Sequence, residues 1–332
     1  MYNCVAEHSG SLYNFDHAAC IGLFRQVYCS QLIQKNTVRE MTEAIAKKIM
    51  RMCLYGLAML FVSNTNAQVI RLNFMGGLAN YNGDLQPKRF TFNQSNAVIA
   101  AGATLDITNK LLLRGEYSFT QLGADDKKGS FPARNLNFKT YIRELNLLAE
   151  YNIFDLEERS FTPYIFGGIG IFKFSPYTFD SINQKVYLVN LGTEGQGLPQ
   201  YPDRKVYKTT QFNIPFGGGV KFAVSDDVQI GFEMGLRYLF TDYLDDVSKP
   251  FADQTILRNA RGQLAVDLAF RGDEVKVNPR SYPNAGSPRG SAKAKDLYYF
   301  GVARLSIRMN WFENGISFSS KKSRFGCPGR VL

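Results

Sequence analysis

The sequence predicts an all-β chain: an eight-stranded antiparallel transmembrane β-barrel of the outer-membrane type, with long extracellular loops and short periplasmic turns. Three observations carry that expectation. Residues 228–241, VQIGFEMGLRYLFT, alternate apolar and polar side chains, with Glu233 and Arg237 on the polar face; the run is far longer than the ~5–6 residues of an ordinary strand. Seven further stretches read with the same period, so the strand count is even. The connections between them alternate between short and long. Long strands with one apolar and one charged face fit lipid outside and charge inside, which a soluble sandwich does not.

Taken in chain order, residues 52–62, MCLYGLAMLFV, follow Lys47, Lys48 and Arg51 and precede SNTNAQ. A basic segment, a short apolar run and small residues make a secretory signal, with cleavage expected after Ala67 so that Gln68 begins the mature chain. A short buried helix is the competing reading, disfavoured by the polar stop and the immediate change to strand pattern. No apolar stretch reaches the ~18 residues of a membrane helix. An export signal does not ordinarily carry a tail upstream of it, so residues 1–40 read as an over-extended N-terminus, with Met41 or Met50 as the start. The expected organisation is 1–40 extension, 41–67 signal, 68–313 barrel and 314–332 periplasmic tail.

Strands are expected at 69–81, 97–107, 110–121, 141–153, 162–174, 210–224, 228–241 and 296–312. Thr108-Asn109, residues 154–161 and Ser225-Asp226-Asp227 make the short turns, and residues 82–96, 122–140, 175–209 and 242–295 the long loops. Loops of that length count against a compact soluble domain but suit one rim of a barrel. Alternation sends Leu111, Tyr117, Leu145, Tyr151, Phe212, Phe232, Tyr299, Leu305 and Trp311 to lipid. It sends Arg114, Glu116, Glu144, Glu150, Lys221, Glu233, Arg237, Arg304 and Arg308 to the lumen. The fifth strand, PYIFGGIGIFKF, is apolar on both faces and leaves Lys173 unassigned. An eight-stranded barrel is just wide enough for its side chains to fill, so these four acids and five bases are expected to pair as a plug. A charged pore is the alternative.

Function classes follow from what the mature chain contains. His8 and His17 both precede Gln68, as do Cys4, Cys20, Cys29 and Cys53, leaving no histidine and one cysteine, Cys327. Histidine-dependent acyl-transfer chemistry is excluded, no intramolecular disulfide can form, and neither enzyme activity nor a cofactor is expected. Cys327 is either a free thiol, which can be idle, or part of an intermolecular bridge. Six of 39 basic and four of 29 acidic residues precede Gln68, so the mature chain carries 33 against 25, or +8. The basic residues form no recognition helix, so nucleic acid is not the expected partner; anionic lipopolysaccharide and outer-membrane lipid are. Asp242, Asp245 and Asp246 in TDYLDDVS match no calcium loop and are expected to be held by neighbouring Lys or Arg. Mid-strand Gly217-Gly218-Gly219 reads as a close strand approach, and Arg271-Gly272-Asp273 as a chance tripeptide.

Several segments resemble one family. They are residues 160–180, SFTPYIFGGIGIFKFSPYTFD; 193–207, TEGQGLPQYPDRKVY; 212–248, FNIPFGGGVKFAVSDDVQIGFEMGLRYLFTDYLDDVS; Arg271-Gly272-Asp273-Glu274; Arg289-Gly290-Ser291; and 296–300, DLYYF. Gly83-Asp84-Leu85 and Cys327-Pro328 belong with them. Together they resemble the PorG-type outer-membrane barrels of the type IX secretion (Por) machinery, which in some species also serves gliding. The resemblance implies a non-enzymatic subunit that anchors or contacts a periplasmic PorK–PorN ring, with the turns and the tail, Cys327 included, as the surfaces able to reach it. The ending GCPGRVL departs from the Lys/Pro-rich endings of that family. A small outer-membrane channel and a surface receptor or adhesin are the alternatives.

Overall fold

The computed structural model describes residues 5–8, 11–14, 69–88, 91, 93–129, 131–291 and 295–309. The chain divides into two units, 1–67 and 68–332. In the first, β1 (Val5–His8) and β2 (Ser11–Asn14) pair as an antiparallel hairpin with His8 opposite Ser11. The signal and its cleavage pair, Ala67 and Gln68, lie outside the described residues, as do Trp311 and the tail with Cys327.

In the second unit, β3 (Ile70–Asn82), β4 (Asn96–Asp106), β5 (Leu111–Asp125), β6 (Asn137–Asn152), β7 (Phe161–Lys173), β10 (Thr210–Ala223), β11 (Val228–Leu239) and β12 (Leu297–Arg308) form one sheet. Its order is β5-β4-β3-β12-β11-β10-β7-β6, and β6 pairs back onto β5. Every neighbouring pair is antiparallel. Closure removes the edges that an open sheet of this length would expose. No helix among the described residues is long and apolar enough to cross a membrane; the strands make the crossing.

The short turns are built by their own hydroxyls and carboxylates. Thr108 Oγ1 accepts from the Lys110 and Leu111 amides, Ser225 Oγ from the Asp227 and Val228 amides, and Asp155 Oδ1 from the Glu157 amide. Such local bonds fix hairpin register, and register decides which side chains meet lipid. The outcome inverts a soluble protein: Ile169 and Phe212 on the outside are 66% and 65% exposed, while Arg114 on the inside is 0% exposed. A contiguous apolar exterior around a closed barrel is stable in a bilayer and not in water, which makes this an outer-membrane barrel.

Two differences from the expected elements have physical causes. β5 and β6 run further toward the extracellular side than expected, to Asp125 and from Asn137, because Leu122, Ala124 and Phe138 continue the inward apolar face past Gly123. The long loops are folded. A small hairpin, β8 (Tyr177–Phe179) with β9 (Lys185–Tyr187), joins β6 through Lys139 and Tyr177. Three short helices, α1 (Leu188–Leu191), α2 (Gln254–Arg261) and α3 (Gln263–Ala269), follow in the last two loops. Asp253 caps α2 by accepting from the Thr255 and Ile256 amides.

Candidate functional site

Period-two geometry directs every second side chain of each strand into the barrel, and eight of the nine residues expected to carry lumenal charge meet there. Arg114 and Glu116 come from β5, Glu144 and Glu150 from β6, Lys221 from β10, Glu233 and Arg237 from β11, and Arg304 from β12; all eight are buried. Arg114 is the hub. Its Nη1 and Nη2 donate to the two oxygens of Glu233 at 2.6 and 3.0 Å, Nη1 also reaches Glu150 Oε2 at 3.1 Å, and Nε lies 3.4 Å from Glu116. Glu150 further accepts from Arg304 Nη1 at 2.7 Å and from Lys221 Nζ. Arg237 sits 3.4 Å from Glu144 and 3.7 Å from Glu116. Tyr164 donates its hydroxyl to Glu233 at 2.8 Å, and Tyr298 and Ser118 donate theirs to Glu144 at 3.0 Å.

The ninth residue, Arg308, lies half-exposed at the periplasmic end, outside this network. Its backbone amide donates to the Asp227 carbonyl. Its place on the last inward position of β12 suggested the lumen, but the strand ends there and water reaches it. Without it the core of the network has four acids and four bases, so the buried interior holds no net charge, as the cost of an unpaired buried ion requires. Tyr299 is also displaced from its expected environment. It points outward, yet it is only 8% exposed, because the first loop folds over it and its hydroxyl both donates to the Thr91 carbonyl and accepts from the Thr91 amide at 2.8 Å.

Alternation alone does not signal how much of the lumen is apolar. Met75, Val98, Leu122, Phe138, Ile142, Phe172, Leu239, Phe300 and Val302 pack into one buried cluster that interleaves with the ions, Met75 opposite Arg304 and Val302 opposite Glu233, and continues into the loops through Leu244 and Leu268. Aromatic rings also stack against the cations: Phe166 on Arg114, Phe300 on Arg237 at 3.8 Å, and Tyr164 on Lys221 at 4.4 Å. The signal was the strand apolar on both faces. Tyr164, Phe166 and Phe172 of β7 fill the inside while Ile165, Ile169, Ile171 and Lys173 face out, which settles the side of Lys173.

On the extracellular side a second polar network ties the long loops into a cap. Glu194 accepts from Arg289 Nη1 at 2.8 Å and from the Ser248 and Lys249 amides, and Arg289 also donates to the Asp246 and Ala269 carbonyls. Asp246 accepts from the Tyr207 hydroxyl at 2.7 Å and from Thr193, with Arg289 3.9 Å away. Arg134 joins Asp126 to the Asp84 carbonyl, and Asp84 accepts from the Ser291 amide. Of the three aspartates expected to be held by Lys or Arg, only Asp246 lies within ion-pair distance of one among the described residues; Asp242 accepts from Ser248 and Asp245 from Tyr81, with Lys295 and Arg134 acting on them from further off. Burial pushes Asp242 and Asp246 up to about 6. It also raises Asp245 and Asp296, whose carboxylates both lie within reach of the Tyr81 hydroxyl as donor, at 2.7 and 3.0 Å. Arg271 of the Arg-Gly-Asp tripeptide is buried against Glu274 and the Phe179 carbonyl, which withdraws its guanidinium from the surface while Asp273 stays exposed.

Residues 48–263 match the model of a family described as a domain of unknown function, DUF6089. None of the curated proteins matches. Among solved structures, Neisserial surface protein A is 10% identical, with 72% of this chain and 97% of that one covered and a TM-score of 0.36. The attachment invasion locus protein Ail of Yersinia pestis, crystallised with the heparin analogue sucrose octasulfate, is 7% identical over 73% of this chain and 99% of its own, with a TM-score of 0.35. A major outer membrane protein of Thermus thermophilus is 10% identical over 72% and 99%, with a TM-score of 0.36. With the family model spanning well over half of its residues, this chain belongs to the DUF6089 family.

Proposed function

We propose that this barrel is a non-enzymatic outer-membrane subunit of the type IX protein secretion machinery, anchoring or contacting a periplasmic ring of the PorK–PorN kind. The observation that carries the reading is where its resembling segments fall. Thr193 and Glu194, Tyr207, Asp246, Arg271, Arg289, Asp84 and Asp296 come from separate matched stretches, and their side chains bond to one another or to their neighbours in the cap. Residues that resemble a family and also interlock are harder to attribute to chance than scattered short matches. The filled lumen supports an anchor over a channel, since its charged and its apolar inward side chains are alike buried. Lipid and lipopolysaccharide surround the belt; the ring would be met from the periplasmic turns and from the tail that holds Cys327.

The test is a strain lacking the chain, complemented either with the full chain or with one lacking residues 228–332. The full chain restores export of type IX substrates and co-purifies ring proteins from solubilised membranes, with crosslinks through Cys327; the truncated chain does neither. Normal export without the chain refutes the role. One observation favours a second reading, a surface receptor or adhesin: the long loops form a bonded cap with its own buried ion pairs. Protease shaving of whole cells that abolishes ligand binding while export continues would support that reading.

A further inference from the structure

We propose that the extracellular edge of the apolar belt on β6 and β7 is a lipopolysaccharide site, with a lipid phosphate held between Arg143 and Lys173. The argument starts from the outward face of the barrel strands. On β3, β4, β10, β11 and β12 the outward positions carry no ionisable acid or base except tyrosines. The outward cations are confined to neighbouring strands: Lys139 and Arg143 on β6, and Lys173 on β7, all exposed. The one outward acid, Asp125 at the end of β5, accepts from the Lys127 amide as a turn cap.

Register makes this cluster more than a scatter. Arg143 pairs directly with Lys173 across the strands, one outward row above Leu145 with Ile171. Two cations placed opposite each other on one sheet face repel unless an anion lies between them. No ion pair among the described residues supplies that anion to Arg143 or Lys173. The row where they sit is where the apolar belt ends, which is the depth of a lipid headgroup. Beside them Phe119 stacks on Tyr141 and Tyr141 on Tyr177, and Lys185 lies 3.8 Å over the Tyr177 ring. On the other flank Lys173 pairs with Thr210. Thr210 lines an open cleft of about 780 Å³ with Tyr187, Asn190 and Lys208. Acyl chains would lie on Leu145, Ile171 and Phe212, a phosphate between the two cations, and the sugar in the polar cleft. A phosphorylated glycolipid supplies all three parts, whereas a glycerophospholipid has no sugar for the cleft.

This inference rests on the outer-membrane location and is independent of the export role. The processed full-length protein in detergent is titrated with lipopolysaccharide, with the same material after phosphatase treatment, and with phosphatidylglycerol. The expected result is that native lipopolysaccharide binds at least about tenfold more tightly than the dephosphorylated form, and that Arg143→Gln with Lys173→Gln removes the difference, as the loss of two charge-assisted contacts should. Lys110→Gln, at the periplasmic turn, leaves binding unchanged. Equal binding of the native and dephosphorylated lipids by the unaltered protein overturns the site without relying on any variant, and so does phosphatidylglycerol binding as tightly as lipopolysaccharide. A processed protein that binds none of these lipids and stays soluble without detergent overturns the outer-membrane location, and the site with it.

Discussion

Removing Arg114 should be the most damaging single change in the barrel interior. Its guanidinium is fully buried and faces three carboxylates, Glu233 through two parallel bonds, Glu150 at 3.1 Å and Glu116 at 3.4 Å. Arg114→Met keeps much of the volume but turns a buried four-against-four network into four acids and three bases. Breaking a buried pair by removing one partner costs about 3–5 kcal/mol, because the charge left behind is uncompensated. With a urea dependence on the order of 2 kcal/mol per molar, the unfolding midpoint should fall by about 2 M. The assay is urea titration of the barrel in detergent, read by the mobility difference between folded and unfolded forms on a gel. Arg114→Met combined with Glu233→Gln restores three against three and should recover part of the loss, giving a coupling between the sites on the order of 1–3 kcal/mol. If Arg114→Met unfolds at the parent's midpoint, the pairs contribute nothing. If the double variant is as unstable as the sum of the singles, charge balance is not what the interior requires.

Two further outcomes follow from the same structure. Asp242 and Asp246 are pushed up to about 6 from an ordinary value of 3.8; acids raised in the folded state stabilise it most below the unfolded value and lose that contribution as pH rises through about 6, amounting to about 3 kcal/mol for the fully buried Asp246. Limited proteolysis of the loops should therefore be slower at pH 5 than at pH 8, and Asp246→Asn should flatten the difference; faster cleavage at pH 5 would contradict it. Adjacent glycines on β7 should respond oppositely to alanine. A Cβ on Gly168 would lie 2.0 Å from the Leu147 carbonyl oxygen, while one on Gly167 meets nothing nearer than 3.9 Å. Gly168→Ala should lose about 1–3 kcal/mol or fail to close the barrel, and Gly167→Ala should stay within about 0.5 kcal/mol of the parent; equal behaviour on the urea assay would refute the strand approach.

The parts of this molecule legible in its sequence are those written with a local period. Leu111, Tyr117, Leu145, Tyr151 and Phe232 face out and Arg114, Glu116, Glu144 and Glu150 face in as the alternation requires, because a strand has only two faces and a membrane barrel gives them opposite solvents. Legibility fails where a contact joins distant residues. Glu194 meets Arg289 from 95 positions away, and Tyr81 meets Asp296 from 215 away; no spacing in either neighbourhood signals the other. It fails again at strand ends, where Arg308 keeps inward parity after the lumen has ended and Tyr299 keeps outward parity beneath a loop. Parity tells which way a side chain points and says nothing of what covers it.

The filled interior of the barrel bears on why so much of the chain is loop. A barrel whose purpose is conduction must leave its interior charges facing water, whereas here they neutralise one another and the space beside them is filled by Phe138, Phe172, Tyr298 and Phe300. That apolar cluster is continuous with the loops: Leu244 and Leu268 belong to it together with inward residues of β6, β7 and β12. The cap is therefore an upward extension of the barrel's own core, held in place by burial as well as by the Glu194–Arg289 pair. Rigid coupling of this kind gives a membrane protein two fixed faces, one at each end of a solid plug. Binding partners at those faces uses that property and transport through the middle does not, so steady single-channel conductance by the purified protein in a planar bilayer would contradict the export-anchor and receptor readings alike.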